Sequence, residues 1–92
     1  MRKRARVDAN HAEIVSVFRA TGCSVQSLAT LGHGVPDLIV GSDGYNVLVE
    51  VKAPRGQRNL LQRQFDHEWR GWIEVVRTPD DALALVKRLR AL

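Results

Sequence analysis

One mixed α/β domain is the fold class this sequence predicts, and three observations predict it. Two β-branched, apolar stretches, PDLIVG and YNVLVEVK, stand on either side of the turn residues GSDG. Amphipathic segments with a period near 3.6 residues lie before and after them. The chain of 92 residues, 45% hydrophobic and 26% charged, has the composition of an ordinary globular protein and the length for one core, so a single domain over residues 1–92 is expected.

A first helix is read from about Asn10 to Ala20, where Ile14, Val17 and Phe18 recur at helical spacing, Val15 widens the face and Gly22 stops it. CSVQSLAT carries a short β pattern before the flexible turn LGHG. The two stretches around GSDG should then pair antiparallel as a hairpin. After the polar loop APRGQRN, Leu61, Phe65 and Trp69 fall at i, i+4 and i+8 on a second helix closed by Gly71, and WIEVVR reads as a fourth strand. In TPDDALALVKRLRAL, Thr78 is an N-cap, Pro79 takes the first helical position, Asp80 and Asp81 occupy the first turn, and basic residues gather near the end. Its stripe of Ala82, Leu85, Val86 and Leu89 should pack inward. The expected order is α-β-β-β-α-β-α, a mixed central sheet flanked by helices.

No apolar run is long enough to cross a bilayer, and the basic start MRKRAR leads into VDANHAE without the apolar core of a secretory signal. The single cysteine, Cys23, allows no internal disulfide, suits a reducing compartment and is expected as a small buried apolar residue. A cytoplasmic protein is the expectation. Lys and Arg outnumber Asp and Glu by 14 to 10, which favours a polyanionic partner, nucleic acid first. The basic residues cluster in RKRAR, which contains Lys3 and Arg4, in KAPRGQR, and in KRLR.

Three charges, Asp37, Glu50 and Lys52, interrupt the strand-like stretches. Residues two apart share a face of a strand, so Glu50 and Lys52 project together with Leu48 while Val47, Val49 and Val51 fill the opposite face. Pairing in the hairpin brings Asp37, at the start of one strand, to the end of the other. Two carboxylates and an amine then meet at one end of the sheet. Carboxylate oxygens completed by water and substrate phosphate are what Mg²⁺ prefers, with Mn²⁺ as a substitute, and the Val51 carbonyl could add a further oxygen. A lysine beside such an ion can position water and offset charge on phosphate. Each residue alone has a plainer reading: Asp37 as a turn residue, Glu50 with Lys52 as a solvated salt bridge. The set points to phosphodiester cleavage because spacing and charge sign agree. Arg55 and Arg58, in the loop that follows Lys52, are placed to hold phosphates.

The Pro-Asp pair (Pro36, Asp37) followed by Glu-Val-Lys (Glu50, Val51, Lys52) resembles the PD-(D/E)xK nuclease signature. GHGVPDLIV, VLVEVKAPRG and LLQRQF together resemble its virus-type replication-repair branch, the VRR-NUC domains, over most of the chain. The resemblance implies a restriction-endonuclease-like core and a metal-dependent endodeoxyribonuclease acting on branched DNA, similar to Holliday junction resolvases, with no organic cofactor. It implies a metal role for Glu13 on the first helix, and an assisting role for Gln62, three residues before an aromatic. It implies a homodimer, since symmetric cleavage of a four-way junction needs two sites, and a phage-like source. Asn10 and Glu13 also have capping-box spacing. Trp69 and Trp72 read as core or dimer contacts, the carboxy-terminal helix is the other candidate interface, and His33 reads as a turn residue. A nonenzymatic DNA-binding module and an accessory subunit of a larger replication or repair complex are the alternatives.

Overall fold

The computed structural model describes residues 2–92, with side chains from Asn10 onward. Its elements are α1 (Arg2–Ala20), β1 (Ser24–Ser27), a one-turn 3₁₀ segment (Ala29–Leu31), β2 (Leu38–Ser42), β3 (Tyr45–Val51), α2 (Leu60–Glu68), β4 (Ile73–Val76) and α3 (Pro79–Arg90). The sheet order is β1-β2-β3-β4. β1–β2 and β2–β3 are antiparallel, whereas β3–β4, joined through α2, is parallel. The mixed sheet and the element order are those expected from the sequence.

The hairpin turn has two residues, Asp43 (φ 54°) and Gly44 (φ 85°). Two successive positive φ angles make the turn that matches strand twist, and Asp-Gly is a sequence able to adopt it. At the end of α1 the Gly22 N–H donates to the Arg19 carbonyl and the Cys23 N–H to the Phe18 carbonyl, a Schellman closure with Gly22 at φ 90°. α3 starts as its sequence implies: Thr78 caps the Asp81 N–H, Pro79 opens the helix, and Ala82, Leu85, Val86 and Leu89 are buried.

α1 and α3 cover one face of the sheet. Ile14 and Phe18 meet Leu38, Val40, Val47, Val49, Val51, Val76 and the α3 stripe in one core, with Cys23 at its margin. Trp72 packs against this core, and its indole N–H donates to Glu74, which also pairs with Arg88 of α3. The α3 stripe packs inward as expected, so that face of the carboxy-terminal helix, a candidate interface in the sequence, is buried within one chain.

Two sequence expectations are corrected. α1 begins at Arg2 rather than near Asn10, because Arg, Lys and Ala favour helix without any apolar period to announce it. Asn10 therefore lies inside the helix and caps nothing. The second correction concerns α2. Leu61 and Trp69, expected on a buried stripe, are 53% and 48% exposed, and Trp69 lies beyond the helix as its C-cap, stacked on Phe65 with ring centroids 5.3 Å apart. Gln62, Phe65 and Asp66 are the half-buried positions instead. The helix is turned by one residue because the sheet surface beneath it presents Glu50, which calls for a polar partner.

Gly34 decides how closely the loop before β2 meets α2. Its φ is 80°, and a Cβ there would run into the Leu61 carbonyl. Gly34→Ala should cost about 2–4 kcal/mol through the left-handed backbone and the overlap combined. Thermal melting would check it, and an unchanged midpoint would count against this approach of loop and helix.

Candidate active site

Pro36 is buried and stands just before β2, whose first residue, Leu38, pairs with Val49. Continuing that register places Pro36 opposite Val51. A proline has no N–H to give to the ladder, so pairing stops there and the Val51 main chain needs other partners. The Val51 N–H donates to Asp37 Oδ2 at 2.8 Å. In a strand the N–H and C=O of one residue point to the same side, so the Val51 carbonyl opens beside the Asp37 carboxylate. The main chain of Asp37 is itself anchored: its carbonyl accepts from the Leu28 N–H at 2.7 Å. The Pro-Asp pair thus ends the ladder and supplies the group that takes over from it.

Glu50 projects from β3 on the face opposite the core and is only 4% exposed. Its Oε2 accepts from Gln62 Nε2 at 2.7 Å and lies 3.5 Å from Lys52 Nζ. Burial pushes the Glu50 carboxyl up to about 7, and the Asp37 charge pushes the same way while the Lys52 ammonium pulls against both. The Asp37 carboxylate thus lies close enough to disfavour ionisation of Glu50.

Gln62 is held at both ends of its amide. It is the N3 residue of a capping box: its Oε1 accepts from the Asn59 N–H at 2.9 Å, while Asn59 Oδ1 accepts from the Gln62 N–H at 2.9 Å. That leaves the Nε2 group aimed at Glu50. The capping box read at Asn10 and Glu13 is found here instead.

Lys52 is fixed through its main chain, with its N–H on the Val76 carbonyl at 3.0 Å and its carbonyl accepting from Asn10 Nδ2 at 3.1 Å. Asn10, assigned no site role from the sequence, thereby docks α1 against the end of β3. Its contact spans 42 positions, a separation that no local pattern reports.

The remaining expected residues divide. Asp37, Glu50, Lys52, Gln62 and the Val51 main chain come together. Glu13 is exposed on α1, and among the described residues no three His, Cys, Asp or Glu side chains converge as metal ligands. Arg55 is exposed in the loop after β3. Arg58 is ion-paired with Asp66 of α2, which offsets its charge. Lys3 and Arg4 are in the first turns of α1, their side chains outside those described. His33 is exposed at φ 55°, in keeping with a turn residue.

The donor set fits a hard divalent cation: two adjoining carboxylates and a main-chain carbonyl that faces a proline, all oxygen. Asp37 also has a structural duty that a substitution can isolate. Asp37→Ala leaves the Val51 N–H without its acceptor and should cost about 1–3 kcal/mol, whereas Asp37→Asn, which can still accept, should cost less than about 1 kcal/mol. Urea denaturation of both would check it, and equal losses would remove this capping role.

No family model, curated protein or solved structure matches the chain.

Proposed function

We propose that this protein is a metal-dependent, structure-selective endodeoxyribonuclease of the PD-(D/E)xK type, acting on branched DNA in the manner of a Holliday junction resolvase. The observation that carries the reading is the convergence of Asp37, Glu50, Lys52 and the Val51 main chain where Pro36 ends the β2–β3 ladder. Asp37, Glu50 and the Val51 carbonyl would hold Mg²⁺ or Mn²⁺. Bound there, the ion would offset charge gathering on the phosphate oxygens and make a water more acidic.

Gln62 holds the Glu50 carboxylate in one orientation, so the ligand geometry is set before substrate arrives. Lys52 Nζ stands beside Glu50 on the same strand face, where it can orient the attacking water by hydrogen bonding and neutralise a non-bridging phosphate oxygen. Water adds to phosphorus, the P–O bond to the leaving sugar oxygen breaks, and a proton ends on that oxygen. Arg55 supplies phosphate contact without base readout, and a chain of this size has little surface for reading sequence, so backbone and DNA shape would direct it.

Symmetric cleavage of a four-way junction calls for two sites related by a two-fold axis. Leu60, Leu61 and Trp69, exposed in and just after α2, support a homodimer through this segment rather than through the buried stripe of α3. A monomeric mass at micromolar concentration would remove the dimer from the reading.

The test is cleavage of a labelled four-way junction, a flap and a linear duplex in Mg²⁺, in Mn²⁺ and in EDTA. Metal-dependent cutting of the branched substrates is expected. Binding that EDTA leaves intact, with no cutting in either metal, would replace the enzyme with a DNA-binding module.

A further inference from the structure

Arg77, the residue after β4, plays no part in the site as described, yet it reaches across to the loop that leaves it. Its Nη1 donates to the carbonyls of Ala53 at 3.0 Å, Pro54 at 3.5 Å and Gly56. Between the first and last of these the chain makes a tight turn, closed by the Gly56 N–H on the Ala53 carbonyl at 2.9 Å. Arg77 is tied down in turn, its own N–H donating to Asp81 Oδ2 at 2.9 Å in the first turn of α3. The loop therefore wraps one guanidinium nitrogen and is fastened through it to the junction of β4 and α3. Loop carbonyls without strand or helix partners need donors, and a guanidinium supplies several in a fixed plane.

The consequence lies in what the loop carries. Lys52 immediately precedes it, held on its other side by Val76 and Asn10, and Arg55 is exposed at its tip. We propose that Arg77 is a positioning residue: by gathering the Ala53, Pro54 and Gly56 carbonyls it fixes the loop, and so sets where Arg55 meets a DNA phosphate. The latch rests on geometry alone, and its use toward phosphate rests on the nuclease reading above. With Nη1 turned toward carbonyls, Arg77 acts through the loop rather than as another phosphate contact.

The experiment has two readouts, taken on the full chain with wild type, Arg77→Met and Arg77→Lys. The first is the rate of early trypsin cleavage at the Arg55–Gly56 bond, mapped by mass spectrometry below the melting transition; it needs no DNA. Nicking of a folded protein follows the population of the locally open loop, so Arg77→Met should nick on the order of tenfold faster or more, since charge-assisted hydrogen bonds are lost. Arg77→Lys, which keeps a donor but not the fork, should fall between. Should Arg77→Met prove unfolded, the Lys variant alone decides the point.

The second readout is affinity for a labelled four-way junction in EDTA, in a cycle combining Arg55→Ala with Arg77→Met. A residue acting through the loop predicts non-additivity: once the latch is gone, Arg55→Ala should change affinity little further. Unchanged nicking overturns the latch. Additive affinity losses, with the salt slope lowered by about 0.9 for Arg77→Met itself, would make Arg77 a direct phosphate contact and overturn the positioning role. If the wild type binds no DNA, the nuclease reading fails and the phosphate part of the proposal with it, while the nicking rates still decide the latch.

Discussion

Replacing Glu50 by Gln should stabilise the metal-free protein above neutral pH. Glu50 is 4% exposed and its carboxyl is pushed from 4.5 up to about 7, by burial first and by Asp37 second. Between those two values the folded chain keeps a proton that the unfolded chain has released. Stability contributed by this group is therefore full below about 4.5, falls as pH rises toward 7, and stays low above it. The loss at pH 8 is on the order of 2–3 kcal/mol. A glutamine keeps an oxygen for the Gln62 amide without the charge. Its melting temperature should exceed that of wild type by roughly 8–24 °C at pH 8 and match it near pH 4.5, at the conversion usual for a domain of this size.

The same substitution bears on the metal. A cation held by Asp37 and Glu50 stabilises the ionised form, so Mg²⁺ should raise the wild-type melting temperature at pH 8. The Gln variant should respond little. Melts of both proteins at pH 4.5 and 8, with and without Mg²⁺, check every arm without reference to cleavage. Parallel pH dependence in the two proteins would show that Glu50 is not the group that carries the cost.

Lys52→Met should lower single-turnover cleavage of a four-way junction by about 10²–10⁴-fold, while affinity for the junction falls only several-fold. Methionine retains much of the apolar stem and removes the ammonium, so packing along β3 is spared. The contrast between rate and affinity follows from where the charge stands, 3.5 Å from Glu50 Oε2 and at the end of the strand, rather than on an outer surface. The lysine also pulls the Glu50 carboxyl down, and its loss should move the rise of any residual activity to higher pH. A variant that cuts within threefold of wild type would remove Lys52 from the chemistry.

Much of this was legible along the chain because it depends on neighbours a few positions apart. Thr78, Pro79, Asp80 and Asp81 announce α3, and the four-residue stripe behind them has one face to bury. Asp43 and Gly44 specify a turn that tolerates two positive φ angles, which sets the β2–β3 register and carries Asp37 to Val51. Alternation along β3 separates the core valines from Glu50 and Lys52. The candidate site was readable for that reason: its main members lie on one hairpin, and a proline marks where its ladder must stop.

What the tertiary structure alone decided is which groups come to meet those residues. Periodicity states that Leu61, Phe65 and Trp69 can share a side of a helix; it does not state that the sheet beneath presents a carboxylate, and so the helix turns Gln62 inward and leaves Leu61 outside. The reach of Asn10 to the Lys52 carbonyl and of Arg77 to the Ala53 carbonyl spans 42 and 24 positions. Both bonds join a side chain to a main-chain oxygen. Every residue carries such an oxygen, so no residue type in the sequence marks the acceptor, and only the approach of α1 and β4 to the end of β3 selects it.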